Sequence, residues 1–384
     1  MKRFVFLLFA FHILMTFPNS VLSQPALKVG SLIPFYGRWG DSGRECARGM
    51  LDAARWLNRR GGVFGRNLEM ILIDDTSQTT ETMAAYRKLN EADRIVLFHV
   101  YSPETAFALL PHIHFDRIPT LVSSLSSQLS NPSKYPYVFS ITPTSLDLSK
   151  IAMKFIVEKS GIKMKNPKIV FIGSSDHLGR DFLNEAKEYA KKIGFNIGPD
   201  IWVPHPSSEQ KISSILPTLN QYDFAYLSLT SREVSSLLED TKEMALKTRW
   251  ICSMNAFDEN VAAYDGVFGV QPISPFGEDI PGMASIKEAH QRWHAYDTHT
   301  LSYVEGWTTT QVIAEVLGMS LPEEKLSRGR VKISFESLKD FVVGGLVPPI
   351  TITSKDHRPS VESRIFITNK GKLLRQTEFI SIER

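Results

Sequence analysis

The chain of 384 residues is long enough for two domains of ordinary size. Its composition, with 43% apolar, 22% charged and 10% aromatic residues, is that of a globular protein and excludes a disordered or fibrous chain. The formal net charge is only +3, so the sequence lacks the strongly basic character expected of a protein that binds nucleic acid or an anionic membrane.

The first 23 residues have the pattern of a secretory signal peptide. Lys2 and Arg3 precede an apolar run, and Val21 and Ser23 fit the small-residue rule for a cleavage site. We expect cleavage between Ser23 and Gln24, which removes two basic residues and leaves an exported chain of net charge +1. The alternative is an uncleaved N-terminal anchor, but the apolar run is short for a membrane span. No later segment is predicted to cross a bilayer.

The pattern then alternates between strands and helices. Short apolar and β-branched runs predict strands at 28–33, 68–73, 95–98 and 118–122, and a helical pattern follows each of the first three. The alternation restarts near residue 145, with further strands predicted at 168–172, 201–203, 223–229 and 249–252. Repeated strand–helix alternation is typical of parallel sheets covered by helices. The sequence therefore predicts two lobes of the same build.

The C-terminal part of the chain completes these lobes. Two helices predicted over 283–296 and 302–320 have no strands of their own, so they must cover an existing sheet, and strands at 363–368 and 376–382 close the chain. Extended segments near residues 142, 272 and 347 predict three crossings. The expected fold is α/β, with two doubly wound parallel-sheet lobes joined by three extended crossings. The expected boundaries are 25–141 with 273–346 for the N-terminal lobe and 142–272 with 347–384 for the C-terminal lobe.

The ends of two neighbouring strands form the candidate site. The third strand leads into Tyr101, Ser102 and Pro103, of which Ser102 is suited to cap a helix and Pro103 to begin it. The fourth strand leads into a serine-rich segment that contains Ser126 and Ser127. Because ligands bind at the carboxyl ends of parallel strands, hydroxyl groups and backbone amides there predict a cradle for a small carboxylate. The alternative is that Ser102 only caps its helix and that the serines form a polar surface loop.

Several short motifs occur in a fixed order along the chain: Pro34 with Gly37-Arg38-Trp39-Gly40, Asn58 with Gly61-Gly62-Val63 and Gly65, Asp74-Asp75, His99-Val100-Tyr101-Ser102, Pro348-Pro349-Ile350-Thr351 and Asp356-His357-Arg358. Together they make nearly the whole mature chain similar to the periplasmic type I solute-binding proteins of branched-chain (Leu/Ile/Val) amino-acid ABC importers. The resemblance implies a monomeric Venus-flytrap protein in the periplasm that binds a small carboxylate ligand and docks on a membrane permease. It implies no cofactor and no nucleic-acid partner.

The resemblance also implies a set of ligand-binding positions. In the N-terminal lobe these are Trp39, Val100, Tyr101, Ser102, Ser126 and Ser127; in the C-terminal lobe, where closure is expected to bury the ligand, they are Ser175, Leu178, Thr230 and Met254.

The C-terminal half of this site departs from the family pattern. Leu178 and Thr230 stand where the family has tyrosines, and Met254 aligns with the acidic residue that pairs the ligand's ammonium group. Burying an unpaired ammonium costs several kcal/mol. The sequence therefore leaves two possibilities. The ligand lacks an amine, as aromatic acids, aliphatic acids and amides do, or a displaced acid replaces the missing one, with Asp258, Asp176 and Glu104 as candidates.

A dinucleotide-dependent enzyme is the main competing hypothesis, because a glycine-rich turn follows the first strand and Asp74-Asp75 end the second. Arg38 and Trp39, however, occupy positions where a pyrophosphate needs bare backbone. The run Ser175-Asp176-His177 has the residue types of a hydrolase triad but lacks the nucleophile-elbow motif. The sequence therefore favours a binding protein over an enzyme. A soluble sensor that docks on a membrane receptor would have the same fold.

The cysteine and histidine residues predict no metal site. Cys46 and Cys252 fit no metal-ligand spacing and are predicted to be buried as small hydrophobic residues, with a disulfide between them left open. His290 and His294 lie one helical turn apart and with His299 could bind a metal, but solvent exposure is the favoured interpretation.

Overall fold

The computed structural model describes residues 25–75, 79–123, 126–158, 166–203, 216–321 and 326–384. The predicted signal peptide lies outside these ranges. Within them the chain forms two α/β lobes, each built around its own sheet.

The first lobe begins with alternating strands and helices. In chain order these are β1 (Leu27–Ile33), α1 (Gly40–Asn58), β2 (Leu68–Asp74), α2 (Thr79–Arg87), β3 (Leu97–Val100), α3 (Pro103–Asp116), β4 (Thr120–Val122) and β5 (Val138–Phe139). Among the described residues, these strands form a five-stranded sheet in the order β2-β1-β3-β4-β5. All of its pairings are parallel, as the sequence predicts.

The second lobe repeats this build. Its elements are α4 (Ser145–Glu158), β6 (Lys168–Ser174), α5 (His177–Lys192), β7 (Asn196–Ile197), β8 (Ile201–Val203), β9 (Phe224–Ser228), α6 (Ser231–Thr241), β10 (Arg249–Cys252) and β11 (Phe268–Gln271). The chain then returns to the first lobe through α7 (Met283–Trp293), α8 (Leu301–Ser320) and α9 (Arg328–Phe335), and ends in β12 (Glu362–Asn369), β13 (Lys372–Arg375) and β14 (Ile380–Ser381). The sequence patterns do not predict β7, β13 and α9.

The second sheet is mixed. Its strands follow the order β13-β12-β11-β10-β9-β6, with β7 and β8 both pairing with β6. The pairings among β6 to β11 are parallel, whereas β12 is antiparallel to β11 and both β13 and β14 are antiparallel to β12. The hairpin-like strands predicted at the C-terminus therefore extend one edge of the second sheet.

Each sheet is covered on both faces. Along β3, for example, Leu97 belongs to one apolar cluster and Phe98 to another, because successive side chains of a strand point to opposite faces. Along β6, Ile169 and Val170 divide in the same way. Two covered faces explain why these strands appear in the sequence as continuous apolar runs.

The third crossing lies later in the chain than predicted. Val347, Ile350 and Ile352 are buried in the core of the first lobe, and the His357 ring bonds the carbonyl of Val138 at 2.8 Å. The chain therefore stays on the first lobe for about ten residues beyond the predicted crossing at 347, and enters the second sheet only at Glu362. The Pro348-Pro349 pair excludes helix, as expected, but apolar residues on its C-terminal side hold it to the first core.

A close contact between α1 and α8 fixes the geometry of the first lobe. An added Cβ at Gly306 in α8 would lie 2.0 Å from the carbonyl oxygen of Cys46 in α1, and one at Gly49 in α1 would lie 2.0 Å from that of Tyr303 in α8. The two backbones approach so closely that only glycine fits at these positions. We call this contact the glycine seam.

The two cysteines are buried and unbridged. Cys46 lies in the first lobe and Cys252 at the end of β10 in the second lobe. This confirms the prediction that both pack as small hydrophobic residues.

Candidate functional site

The carboxyl ends of both sheets face each other across a cleft between the lobes. Among the described residues, two adjoining cavities occupy this cleft, of about 780 Å³ and 610 Å³ with their open mouths included. Arg38, Trp39, Met254 and Asn255 border both cavities. We call the larger one the apolar cavity and the smaller one the polar cavity, after the side chains that line them.

Six helices of the described chain begin at this cleft. The apolar cavity is bordered by the N-termini of α3 at Pro103, α4 at Ser145 and α5 at Asp176. The polar cavity is bordered by those of α1 at Ser42, α6 at Thr230 and α8 at Ser302. Each helix N-terminus carries roughly half a positive charge and free backbone amides. The cleft is therefore preorganised for an anionic group.

The wall of the apolar cavity is made of large side chains from both lobes, namely Trp39, Leu148, Phe182, Tyr226, Leu229 and Met254. Thr142 and Pro143, in the first crossing, complete it. A ligand body of several carbon atoms would bury its surface against this wall, at a gain of about 25 cal/mol per Å² of apolar area.

Arg38 joins the lobes at the border between the cavities. Its guanidinium group lies 3.0 Å from Asp176 and 3.3 Å from Glu233, both in the second lobe, and its centre is 5.3 Å from the centroid of the Trp39 ring. Burial raises the pKa of Asp176, but hydrogen bonds from Ser174, Gly179 and Arg38 hold it below its ordinary value. Asp176 is therefore ionised at neutral pH.

Further contacts join the two lobes around the cleft. Asp41 pairs with Arg232, and the Ser127 hydroxyl donates to Glu185. Both carboxylate oxygens of Glu259 accept the amide of Leu301, at 3.0 and 3.2 Å. Because these partners belong to different lobes, the structure represents a closed form.

Glu305, on α8, is the buried acid of the polar cavity. Its side chain is 5% exposed, and its Oε1 has no hydrogen-bond partner among the described residues. Burial raises the pKa of Glu305 to about 7, although a hydrogen bond from Ser123 partly offsets this. Ser123 in turn lies 3.2 Å from Nε2 of His99, whose Nδ1 lies 2.8 Å from the Ser31 hydroxyl. Burial lowers the pKa of His99 to about 3, so the ring is neutral and relays hydrogen bonds from Ser31 towards Glu305.

Four of the ten predicted site residues border the cleft. Trp39 and Met254 border both cavities, and Tyr101 and Thr230 border the polar cavity. The Tyr101 hydroxyl is hydrogen-bonded with Ser42 and Ser302, beside Glu305. Thr230 caps α6 and forms a capping box with Glu233, which also binds Arg38.

The predicted serine cradle is not formed. The Ser102 hydroxyl donates to Asp75 at 2.9 Å and accepts the amide of Thr105, so both of its functions are used inside the first lobe. Ser126 is buried and caps a short helical turn by accepting the amide of Gln128. These side chains are consumed by local capping, because a hydroxyl before a helix binds the nearest free amide.

The remaining predicted residues have other surroundings. Val100 packs in the apolar core of the first lobe, and Ser127 contacts Glu185 across the lobes. The backbone of Ser175 is bonded to Val203 and Arg180, while its neighbours Ser174 and Asp176 border the apolar cavity. Leu178 belongs to the first turn of α5, but its side chain lies outside the described part of the structure.

The three displaced acids suggested by the sequence differ in their pairing. Asp176 is held by Arg38, and Asp258 accepts the Ser231 hydroxyl at 2.6 Å and the amide of Asn260 at 2.8 Å. Glu104 borders the apolar cavity at the first turn of α3. Sequence reasoning missed Glu305, although a carboxylate within the apolar run 303–307 of a helix is an unusual signal that could have identified it.

The histidine cluster lies away from the cleft. His290 is on α7 and His294 directly follows its last residue. His299 is only 3% exposed and stacks on Tyr303 at 3.6 Å between ring centroids. The expected solvent exposure is therefore wrong for His299. Across the described residues, no group of three or more His, Cys, Asp or Glu side chains is arranged to hold a metal ion.

Two α/β lobes that enclose a cleft between the ends of their sheets define a two-lobed binding protein. The sequence profile of the periplasmic binding protein family matches residues 26–372, and the chain belongs to this family. This confirms the resemblance stated from the sequence motifs. Within the described ranges, none of the helices combines the length and apolar character needed to span a membrane.

The chain is similar to several known proteins. It is 21% identical over 263 residues to the leucine-, isoleucine-, valine-, threonine- and alanine-binding protein of Pseudomonas aeruginosa, which covers 67% of this chain and 68% of that protein. A branched-chain amino acid ABC transporter protein from Thermus thermophilus with bound valine has a TM-score of 0.83 at 19% identity, covering 94% and 97% of the two chains. A fatty acid ABC transporter substrate-binding protein from Thermomonospora curvata has a TM-score of 0.81 at 19% identity, covering 94% and 93%.

Proposed function

We propose that this protein is the extracytoplasmic solute-binding component of an ABC importer. It captures a small carboxylate-bearing ligand with an apolar body in the cleft between its lobes and does not act as an enzyme. The observation that carries the proposal is the cleft itself, in which six helix N-termini of the described chain surround an apolar wall.

The cleft supports a ligand with two chemical parts. The free amides and positive ends of the helices favour a carboxylate head group. The apolar cavity favours a hydrocarbon or aromatic body. Branched-chain or aromatic amino acids and amine-free aromatic or aliphatic acids both have these two parts. The names of similar proteins support the same range, because they include an amino-acid-binding protein and a fatty-acid-binding one.

Ligand binding would act by stabilising the closed form. Arg38, Asp41 and Glu259 each join the two lobes directly. A ligand that touches both lobes has a higher affinity for the closed arrangement and shifts the population towards it. The three crossings are the elements that change conformation during closure. Two of them are joined at Arg364, whose guanidinium group donates to Ser274 at 2.7 Å and to the Gly345 carbonyl at 3.0 Å.

We propose that the closed protein docks on a membrane permease as a monomer, after export by its signal peptide to the periplasm. The second candidate, a soluble sensor for a membrane receptor, uses the same closure. The genes beside this one would distinguish them, because permease and ATPase genes favour import and a histidine kinase or chemoreceptor gene favours sensing.

A ligand screen tests the proposal. The mature protein would be screened by thermal shift against amino acids, aromatic acids, fatty acids and amides, and hits would be measured by isothermal titration calorimetry. We expect one chemical class to raise the melting temperature. Met254→Arg, which places a charge at the border of both cavities, should abolish the shift. The matched change Ile333→Arg, at an exposed position of α9, should preserve it. Failure of every class, or binding unaffected by Met254→Arg, would contradict the proposal.

A further inference from the structure

Glu305 is held in its place by the backbone. The next residue, Gly306, belongs to the glycine seam, where α8 meets the carbonyl of Cys46 too closely for any side chain. The backbones of α1 and α8 meet directly beside Glu305, so this part of α8 packs at close range against α1. The side chain remains 5% exposed and borders the polar cavity.

No basic side chain of the described chain balances this carboxylate. Arg38 is bound to Asp176 and Glu233, and Arg232 is bound to Asp41. The groups found beside Glu305 are uncharged donors, Tyr101 and Ser123. Burying an ionised carboxylate without a cation is costly, so either the group is neutral or a cation from outside the chain joins it.

The charged residues that line the cleft also favour a cation from outside the chain. Among the described residues bordering the two cavities, the carboxyl groups are those of Asp41, Glu104, Asp176, Asp258 and Glu305, whereas the guanidinium groups are those of Arg38 and Arg232. Of the acids in the polar cavity, Asp41 is paired with Arg232, and Asp258 is bonded to Ser231 and Asn260. Glu305 alone among these combines burial with an oxygen that has no partner in the described chain.

We propose that Glu305 binds an ammonium group of the ligand, which makes the ligand a zwitterionic α-amino acid with an apolar side chain rather than an amine-free acid. This inference rests on the proposed function. Helix N-termini receive the carboxylate, Glu305 receives the ammonium group, and the apolar cavity receives the side chain. Glu305, on α8 of the first lobe, thereby replaces the acidic residue that is missing at the position of Met254 in the second lobe. A bound ammonium group also returns the pKa of Glu305, which burial raises to about 7, towards its ordinary value.

Matched ligand pairs on the unmodified mature protein test the inference directly. L-Leucine and 4-methylpentanoate, or L-phenylalanine and 3-phenylpropanoate, differ only in the amine. Calorimetric titration should give dissociation constants at least 100-fold lower for the amino acids. Equal or tighter binding of the deaminated acids would overturn the role of Glu305 and leave the proposed function intact. Binding of neither member of any pair would contradict the proposed function, and the inference with it.

The variant Glu305→Gln provides a second test of the proposal. It should weaken amino-acid binding at least 100-fold while leaving the melting temperature of the ligand-free protein unchanged or higher, because a buried unpaired acid is removed. Glu315→Gln, at an exposed position of the same helix and outside both cavities, is the matched control and should retain amino-acid binding within a few-fold. Glu305→Gln protein that is folded, as judged by its melting temperature, and still binds amino acids like the parent would overturn the proposal.

Discussion

Glu259 of the second lobe accepts the backbone amide of Leu301, the first residue of α8 in the first lobe. The N-cap residue of α8, Thr300, makes no capping bond with its own side chain. The first amide of α8 in the first lobe therefore donates to the carboxyl group of Glu259 in the second lobe. This hydrogen bond is lost when the lobes separate.

The burial of Glu259 at this contact makes closure dependent on pH. Burial, together with the adjacent carboxylate of Asp258, raises the pKa of Glu259 to about 8 in the closed form. We expect separation of the lobes to expose the carboxyl group to water and to return its pKa towards the ordinary value. A group whose pKa is higher in the closed form stabilises that form below its ordinary pKa, and the contribution is lost as the pH rises through the higher value. The dissociation constant should therefore increase several-fold between about pH 6 and pH 9.

The variant Glu259→Gln should lack this part of the pH dependence, since glutamine does not titrate. Glu243→Gln, at an exposed position in the same lobe, should retain it. Calorimetric titrations of all three proteins across this pH range give the comparison. Identical pH profiles for the parent and Glu259→Gln would show that this contact does not control closure.

Arg38→Met should weaken ligand binding roughly 10-fold or more, because it removes the ion pairs that join Asp176 and Glu233 to the first lobe when the cleft closes. Arg60→Met is the matched control. Arg60 also forms an ion pair, with Glu288, but this pair lies on the surface of one lobe, and exposed pairs contribute about 0–1 kcal/mol. Small-angle scattering with saturating ligand should show a larger radius for Arg38→Met alone. An affinity equal to that of the Arg60 variant would argue against a closing role for Arg38.

Gly306→Ala should destabilise the first lobe by about 2–4 kcal/mol, because the new methyl group meets the Cys46 carbonyl and forces α1 and α8 apart. Gly329→Ala, in α9, is the matched control, since nothing lies within 4 Å of the added carbon there. Alanine in that helix should be neutral or stabilise by about 0.5–1 kcal/mol. Urea denaturation monitored by circular dichroism measures both changes. Comparable stabilities for the two variants would refute the glycine seam.

Ser102→Ala should lower the free energy of unfolding by about 1–3 kcal/mol, since it removes both the α3 cap and the donor to buried Asp75. Ligand affinity should stay within a few-fold of the parent, because the hydroxyl is used inside the lobe. Denaturation and calorimetry on the same preparation separate the two effects. A large loss of ligand affinity at unchanged stability would show instead that the Ser102 hydroxyl binds the ligand.

The case of Ser102 shows where sequence reasoning succeeds and where it stops. Ser102 followed by Pro103 predicted the start of α3 correctly, because capping depends on residues within one helical turn. The partner of the hydroxyl, Asp75, comes from the end of another strand, 27 residues away. No local pattern indicates such a contact. The sequence alone therefore predicts a ligand as the partner of this hydroxyl, whereas the structure shows Asp75.

Glu305 shows the opposite case. Helix α8 is buried around most of its circumference, so its sequence has no polar face that would distinguish a functional acid from a solvated one. Whether the carboxyl group meets solvent, a cation or an apolar core depends on how α8 packs against α1 and on the neighbouring Tyr101 and Ser123. The two-lobed fold, in contrast, follows from strand–helix alternation alone. The third crossing was placed too early because apolar residues after Pro348-Pro349 fit either core.

The glycine seam has a consequence for how this protein could change its ligand. The backbone beside Glu305 packs at the glycine seam, and neither Gly49 nor Gly306 borders the two cavities. Mutations that enlarge or reshape the apolar cavity can therefore accumulate without moving the Glu305 carboxyl group. Side-chain preference and head-group recognition are thus separable, and efforts to retarget the protein should vary Leu148, Phe182 and Leu229 while leaving Gly49 and Gly306 untouched.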